Sequence, residues 1–235
     1  MPNYKRSGTL YVAKPKRRRR RGKVSSLVVT RTARPTRSLK ATNPNIGFAD
    51  RKVVHLTYAD TVLMNPGAGV PFAYTFRANS IFDPNLTGTG HQPFGHDQWA
   101  LIYNQYIVRK AKITVTFANQ AANYPTYVGV QVQKTAALDN NLHTRLETTK
   151  GTSLKLLTGN TNAVQKVTAY FDARKFFDVK NLRDEVQLRA QMGANPTSTA
   201  YILLNGQCAD NASASPQIIT ASVMIEYTVE LLNLA

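Results

Sequence analysis

From Ile219 to Leu231 every second residue is apolar: Ile219, Ala221, Val223, Ile225, Tyr227, Val229 and Leu231. Thr220, Ser222, Glu226, Thr228 and Glu230 stand among the residues between them. A helix would spread those seven side chains around its axis, whereas a strand puts them all on one face. The same alternation recurs at Val54, Leu56 and Tyr58, at Phe72, Tyr74 and Phe76, and at Ala111, Ile113, Val115 and Phe117. It returns at Val128, Val130 and Val132 and at Val167, Ala169 and Phe171. With Tyr201 to Leu204 these make at least seven strand candidates, each with one face for a core and one for solvent or a neighbour. The expected class is all-β.

Turn residues punctuate the strands at Asn65-Pro66-Gly67, Asn123-Tyr124-Pro125, Gly159-Asn160 and Asn195-Pro196. Long polar stretches at 83–96, 135–163 and 205–217 read as loops, the places where a sandwich that tiles a surface meets its neighbours. Two short helices are expected. Asp97 is placed to N-cap Gln98–Tyr103, with Trp99, Ile102 and Tyr103 as its apolar stripe, and Ala173 to Phe177 forms a turn of helix ahead of Asp178. No run approaches the roughly 18 apolar residues of a membrane span.

Charge divides the chain. Residues 1–40 hold 14 Lys and Arg with no Asp or Glu, so the net charge of +17 splits into +14 there and +3 over the rest. Lys14, Lys16, Arg17, Arg18, Arg19, Arg20, Arg21 and Lys23 are too concentrated to fold alone. Arg31, Arg34, Arg37 and Lys40 continue the charge at every third residue, with Pro35 and Pro44 opposing one continuous helix. The expected division is a largely disordered basic arm over 1–45 and a folded domain over 46–235. Ser26 to Thr30 is a weaker strand candidate within the arm, and Tyr4 and Tyr11 are candidate base-stacking residues there. The twelve named cations are the candidate nucleic-acid-binding residues, because arginine binds phosphate bidentately and also stacks on unpaired bases. Lys14 to Lys23 doubles as a candidate nuclear localisation signal. With no apolar segment after the charge, the N-terminus does not read as a secretory signal, and use in cytosol and nucleus is expected.

The segment Pro93-Phe94-Gly95-His96-Asp97-Gln98-Trp99-Ala100-Leu101-Ile102-Tyr103-Asn104-Gln105-Tyr106-Ile107-Val108, running on to Phe117, resembles the capsid proteins of circular single-stranded DNA viruses that encode a replication initiator, the circovirus-like group. Tyr103, Tyr106, Lys112, Phe117 and Asn119 carry that match. Lys175-Phe176-Phe177-Asp178-Val179-Lys180, Asn195-Pro196, the strand from Tyr201 and the closing strand Ile225 to Glu230 extend it in the same order. The resemblance implies an eight-stranded antiparallel jelly roll of the viral capsid type that self-assembles into a small T=1 icosahedral shell of about 60 copies. It also implies packaging of a circular ssDNA genome, nuclear import receptors and a host-cell surface receptor as partners, and location in the virion and the host nucleus. Small ssRNA-virus coat proteins share arm and jelly roll, and a non-viral basic-tailed nucleic-acid-binding protein is the further alternative. The choice of DNA comes from the resemblance alone.

Chemistry-bearing patterns are few. No Gly-x-Ser-x-Gly elbow, phosphate loop or His-Glu-x-x-His helix occurs, so neither catalysis nor a cofactor is expected. His91 and His96 read as loop or cap residues rather than metal ligands, Asp139-Asn140-Asn141 as a surface turn, and His55 and His143 as structural. Cys208 reads as a small core residue. Lys110 and Lys112 flank inward-facing Ala111 and are open to either a nucleic-acid or a subunit-contact role. Asp172, Asp178, Asp184 and Glu185 interleave with Arg174, Lys175, Lys180 and Arg183, which suggests local ion pairing.

Overall fold

The computed structural model describes residues 47–67, 69–120, 124–148, 153–159, 163–209 and 218–235. Nine strands are present among the described residues: β1 (Arg51–Met64), β2 (Phe72–Arg77), β3 (Tyr103–Asn119), β4 (Thr126–Gln133), β5 (Ser153–Leu157), β6 (Val164–Asp172), β7 (Ala190–Gln191), β8 (Tyr201–Cys208) and β9 (Ile219–Leu234). Among the described residues three short helices, α1 (His96–Ala100), α2 (Leu142–Thr148) and α3 (Ala173–Phe177), and one 3-10 turn (Val186–Leu188) lie between them.

The pairing is nested. β4 pairs antiparallel with β5, β3 with β6, β2 with β8 and β1 with β9. That is one long hairpin with β4–β5 at its tip, and rolling it up places alternate pairs in two sheets, β1-β9-β3-β6 and β2-β8-β4-β5. This is the eight-stranded antiparallel jelly roll, with β7 as a two-residue addition to β3.

The alternation of the sequence becomes the core. Tyr58, Ile113, Val115, Phe117, Val128, Val130, Ile225, Tyr227 and Val229 are fully or almost fully buried, and all seven apolar residues of Ile219 to Leu231 face inward. Truncating one of the isoleucines to Ala would cost ~2–5 kcal/mol, because the removed transfer energy is compounded by the void.

Several expectations are corrected. β8 runs on through Asn205-Gly206-Gln207 to Cys208, because Asn205 pairs with both Ala73 of β2 and Gly129 of β4, the strands on either side of it. The 205–217 stretch is therefore strand to Cys208, and 210–217 lies outside the described residues. The 135–163 stretch holds α2 and the edge strand β5 rather than loop alone. Helix α1 starts at His96, capped by Gly95 at φ 95°, a value that favours glycine. Asp97 therefore sits inside the first turn with its carboxylate on the His96 ring, and Tyr103 opens β3 instead of closing a helix. Helix α3 occurs where expected: Asp172 caps it by accepting from the Arg174 N–H at 3.1 Å, and Asp178 ends it in the left-handed region.

Candidate functional site

Strands β1, β9, β3 and β6 present an outer face away from the core. Its lower part is roofed by the chain between α3 and β8. There β7 pairs with Gln105 and Tyr106 of β3, and Ile107 and Glu230 are buried although they belong to the outer face. The register of β3 against β9 shifts between Val108 and Lys110, leaving Arg109 as the extra residue of a bulge. Its guanidinium reaches Glu230 at 3.7 Å, and Arg183 of the roof meets the same carboxylate at 2.6 Å.

Above the roof the face is open. A groove of about 480 Å³ lies there, with His55, Thr57, Lys110, Lys112, Tyr170 and Lys175 among its walls. The rows across the sheet place Thr57, Glu226, Lys112 and Tyr170 side by side, then His55, Thr228, Lys110 and Asp172. Lys112 Nζ pairs with Glu226 at 2.8 Å and Lys110 Nζ with Asp172 at 3.4 Å. The hydrogen bond and charge of Glu226 hold the Lys112 ammonium above its ordinary range. Lys110 and Lys112 do share one surface, and each carries a carboxylate from its own sheet. The expected local pairing within 172–185 is replaced by these cross-strand pairs and by Arg183–Glu230, because neighbouring strands bring charges closer than neighbours along the chain.

The 83–96 loop is fastened to the domain. Asn85, almost fully buried, donates to Asp60 Oδ2 at 3.1 Å and to the Tyr74 hydroxyl at 2.9 Å, and accepts from the Thr87 hydroxyl at 2.8 Å. Asp60 also accepts from the Tyr58 hydroxyl at 2.8 Å, and burial with that carboxylate pushes the Tyr58 phenol far up. His91 lies 3.0 Å from the Ala59 carbonyl and packs against Tyr58 with ring centres 4.7 Å apart and the rings tilted by 39°. The buried His96 bridges Asp97 and the Met192 carbonyl. Both histidines act as loop ties, as expected of loop or cap residues. Among the described residues no cluster of three His, Cys, Asp or Glu could hold a metal.

Asn141 directly precedes α2, its carboxamide accepting from the His143 and Thr144 N–H groups, and Asp139 accepts from the Asn141 N–H, so this stretch is a surface turn. Arg145 of α2 is buried and donates to Gln207 of β8, and burial lowers its pKa. Cys208 is buried as expected. His55 is exposed, 3.3 Å from the Thr228 hydroxyl, and His143 is exposed on α2. The cations of the arm, Lys14 to Lys40, together with Tyr4, Tyr11 and the strand candidate Ser26 to Thr30, lie outside the described residues. What sequence reading missed is the groove, because Tyr170 reads as a strand residue and only the register sets it beside Lys112.

No protein-family model matches this chain, and no curated protein matches it. Among solved structures the fold is similar to that of Cocksfoot mottle virus, at 13% identity over 89% of this chain and 97% of that one, with a TM-score of 0.46. It is also similar to Desmodium yellow mottle tymovirus, at 16% identity over 82% and 93%, TM-score 0.40. A third is the decameric BFDV capsid protein, at 11% identity over 77% and 99%, TM-score 0.38. With TM-scores below 0.5 these likenesses carry no functional argument, and the jelly roll rests on the strand order and register.

Proposed function

We propose that this chain is a viral capsid protein: a jelly roll that self-associates into a closed icosahedral shell and a basic arm that condenses single-stranded nucleic acid inside it. The observation that carries this reading is the union of two parts in one chain. The jelly roll has eight strands and a residual charge of +3, and the segment before it has 14 cations and no acid. A nearly balanced body lets copies approach one another, while an unbalanced arm requires a polyanion. A T=1 shell of about 60 copies would enclose on the order of 840 arm charges, to be met by phosphates. Circular ssDNA as the genome, import through Lys14 to Lys23 and assembly in the host nucleus complete the proposal, supported by the resemblance of Pro93 to Phe117 to circovirus-like capsid proteins. Subunit contacts are placed in the loops around 83–96 and 135–163 and beyond Cys208.

The test is to purify the full chain from cells, measure its mass by light scattering and digest the co-purified nucleic acid with DNase or RNase. A particle of shell mass carrying DNase-sensitive nucleic acid is expected. RNase-sensitive cargo would move the reading to an ssRNA-virus coat protein. A nucleic-acid-bound monomer would move it to a basic-tailed binding protein.

A further inference from the structure

Tyr170 is 73% exposed on the outer face of β6, the strand that ends the order β1-β9-β3-β6. Its ring stands in the groove beside Lys112, its direct cross-strand partner, and Lys175 reaches into the same groove from α3. Lys110 and Lys112 are held in place by Asp172 and Glu226, whereas Lys175 has no carboxylate within ion-pair distance among the described residues. Three ammoniums against two carboxylates leave the groove cationic. Lys166 adds a further exposed cation on the outward side of β6, four residues before Tyr170.

We propose that this groove is a second nucleic-acid contact, on the folded domain itself, in which an unpaired base stacks on Tyr170 and the adjoining phosphate meets Lys175 and Lys112. It rests on the reading that the chain binds single-stranded nucleic acid, and extends that role beyond the arm. An acidic peptide would use the ammoniums and leave the ring idle, while a base with its phosphate uses both. Duplex is excluded as the occupant because its base faces are already stacked. Every base has a π-face, so the contact ignores sequence. The carboxylates of Asp172 and Glu226 limit the local charge, which keeps the site weaker than the arm and leaves stacking as its larger contribution.

The test uses the full chain and a fluorescent deoxythymidine oligonucleotide of about 20 nucleotides, with affinity measured by anisotropy across a salt series. Stacking on one base predicts roughly tenfold weaker binding for Tyr170→Ala at every salt concentration, and no loss for Tyr170→Phe. Lys175→Ala should lower the slope of log affinity against log salt by about 0.7, the value for one phosphate of a single strand. Tyr170→Ala binding as tightly as the parent would overturn the proposal and leave the arm's role standing. A Tyr170→Ala chain that binds normally but no longer self-associates would overturn it in favour of a contact between copies. A parent chain that binds no oligonucleotide at any salt would overturn both this site and the packaging role.

Discussion

Arg183 holds Glu230 with two nitrogens on one oxygen: Nε at 2.7 Å and Nη2 at 2.6 Å from Oε1. Glu230 has a side chain only 5% exposed and lies on the central strand β9, while Arg183 belongs to the segment that roofs the lower half of the sheet. The pair, with Arg109 on the other oxygen, is one polar fastening of that roof, beside the His96 contact to the Met192 carbonyl.

Glu230→Gln should therefore destabilise the domain by about 2 kcal/mol. The usual cost of breaking a buried pair is reduced here because both arginines remain partly in water. Urea unfolding followed by circular dichroism would measure it, and an unchanged midpoint would mean that the Glu230 pair contributes nothing to holding the roof.

Alkaline pH should unfold the protein through its buried phenols. Burial pushes Tyr106 up to about 12 and raises Tyr58, Tyr103 and Tyr227 as well. A phenol whose folded pKa lies above its unfolded value of about 10 contributes its stability in full below pH 10, and that contribution is lost as pH climbs toward 12. Tyr106 alone accounts for something on the order of 3 kcal/mol. Phenolate absorbance from the four buried tyrosines should appear together with loss of tertiary structure, and a domain that stays folded after all its phenols have ionised would contradict this account.

The alternation in the strands made most of the core readable, because burial on one face selects apolar residues at period two. Glu230 shows where that rule stops. By sequence it shares the solvent side with Thr228 and Glu226, yet Arg183, 47 residues earlier, covers it. Strand β5, Ser-Leu-Lys-Leu-Leu, is short and only partly buried on an edge, so no period marks it. Asn205 and Gly206 open the polar stretch 205–217, which reads as a loop, but they lie in β8, where glycine lets Met64 pack against the backbone: a methyl at Gly206 would come within 2.9 Å of Met64 Cε. The groove was invisible for the same reason as Glu230, since cross-strand register decides its walls.

Gly129 should tolerate no side chain. It sits in β4 where a methyl group would run into the Ser153 carbonyl and the Leu154 side chain of β5. Gly129→Ala should cost about 1–3 kcal/mol and loosen the edge strand, which hydrogen exchange of the β5 amides would report.

Replacing Arg17 to Arg21 with alanine in the full chain should lower the salt slope of single-strand binding by about 3.5, five phosphates' worth, without changing the melting temperature of the domain. A slope unchanged by the substitution would remove the arm from the binding account.

The most direct test of the shell is negative-stain electron microscopy of the purified full chain, with and without ssDNA, at low and high salt. Uniform closed particles in the presence of ssDNA at low salt, lost when salt is raised or the five arginines are replaced, are the predicted result. Monomers or small oligomers under every condition would contradict it.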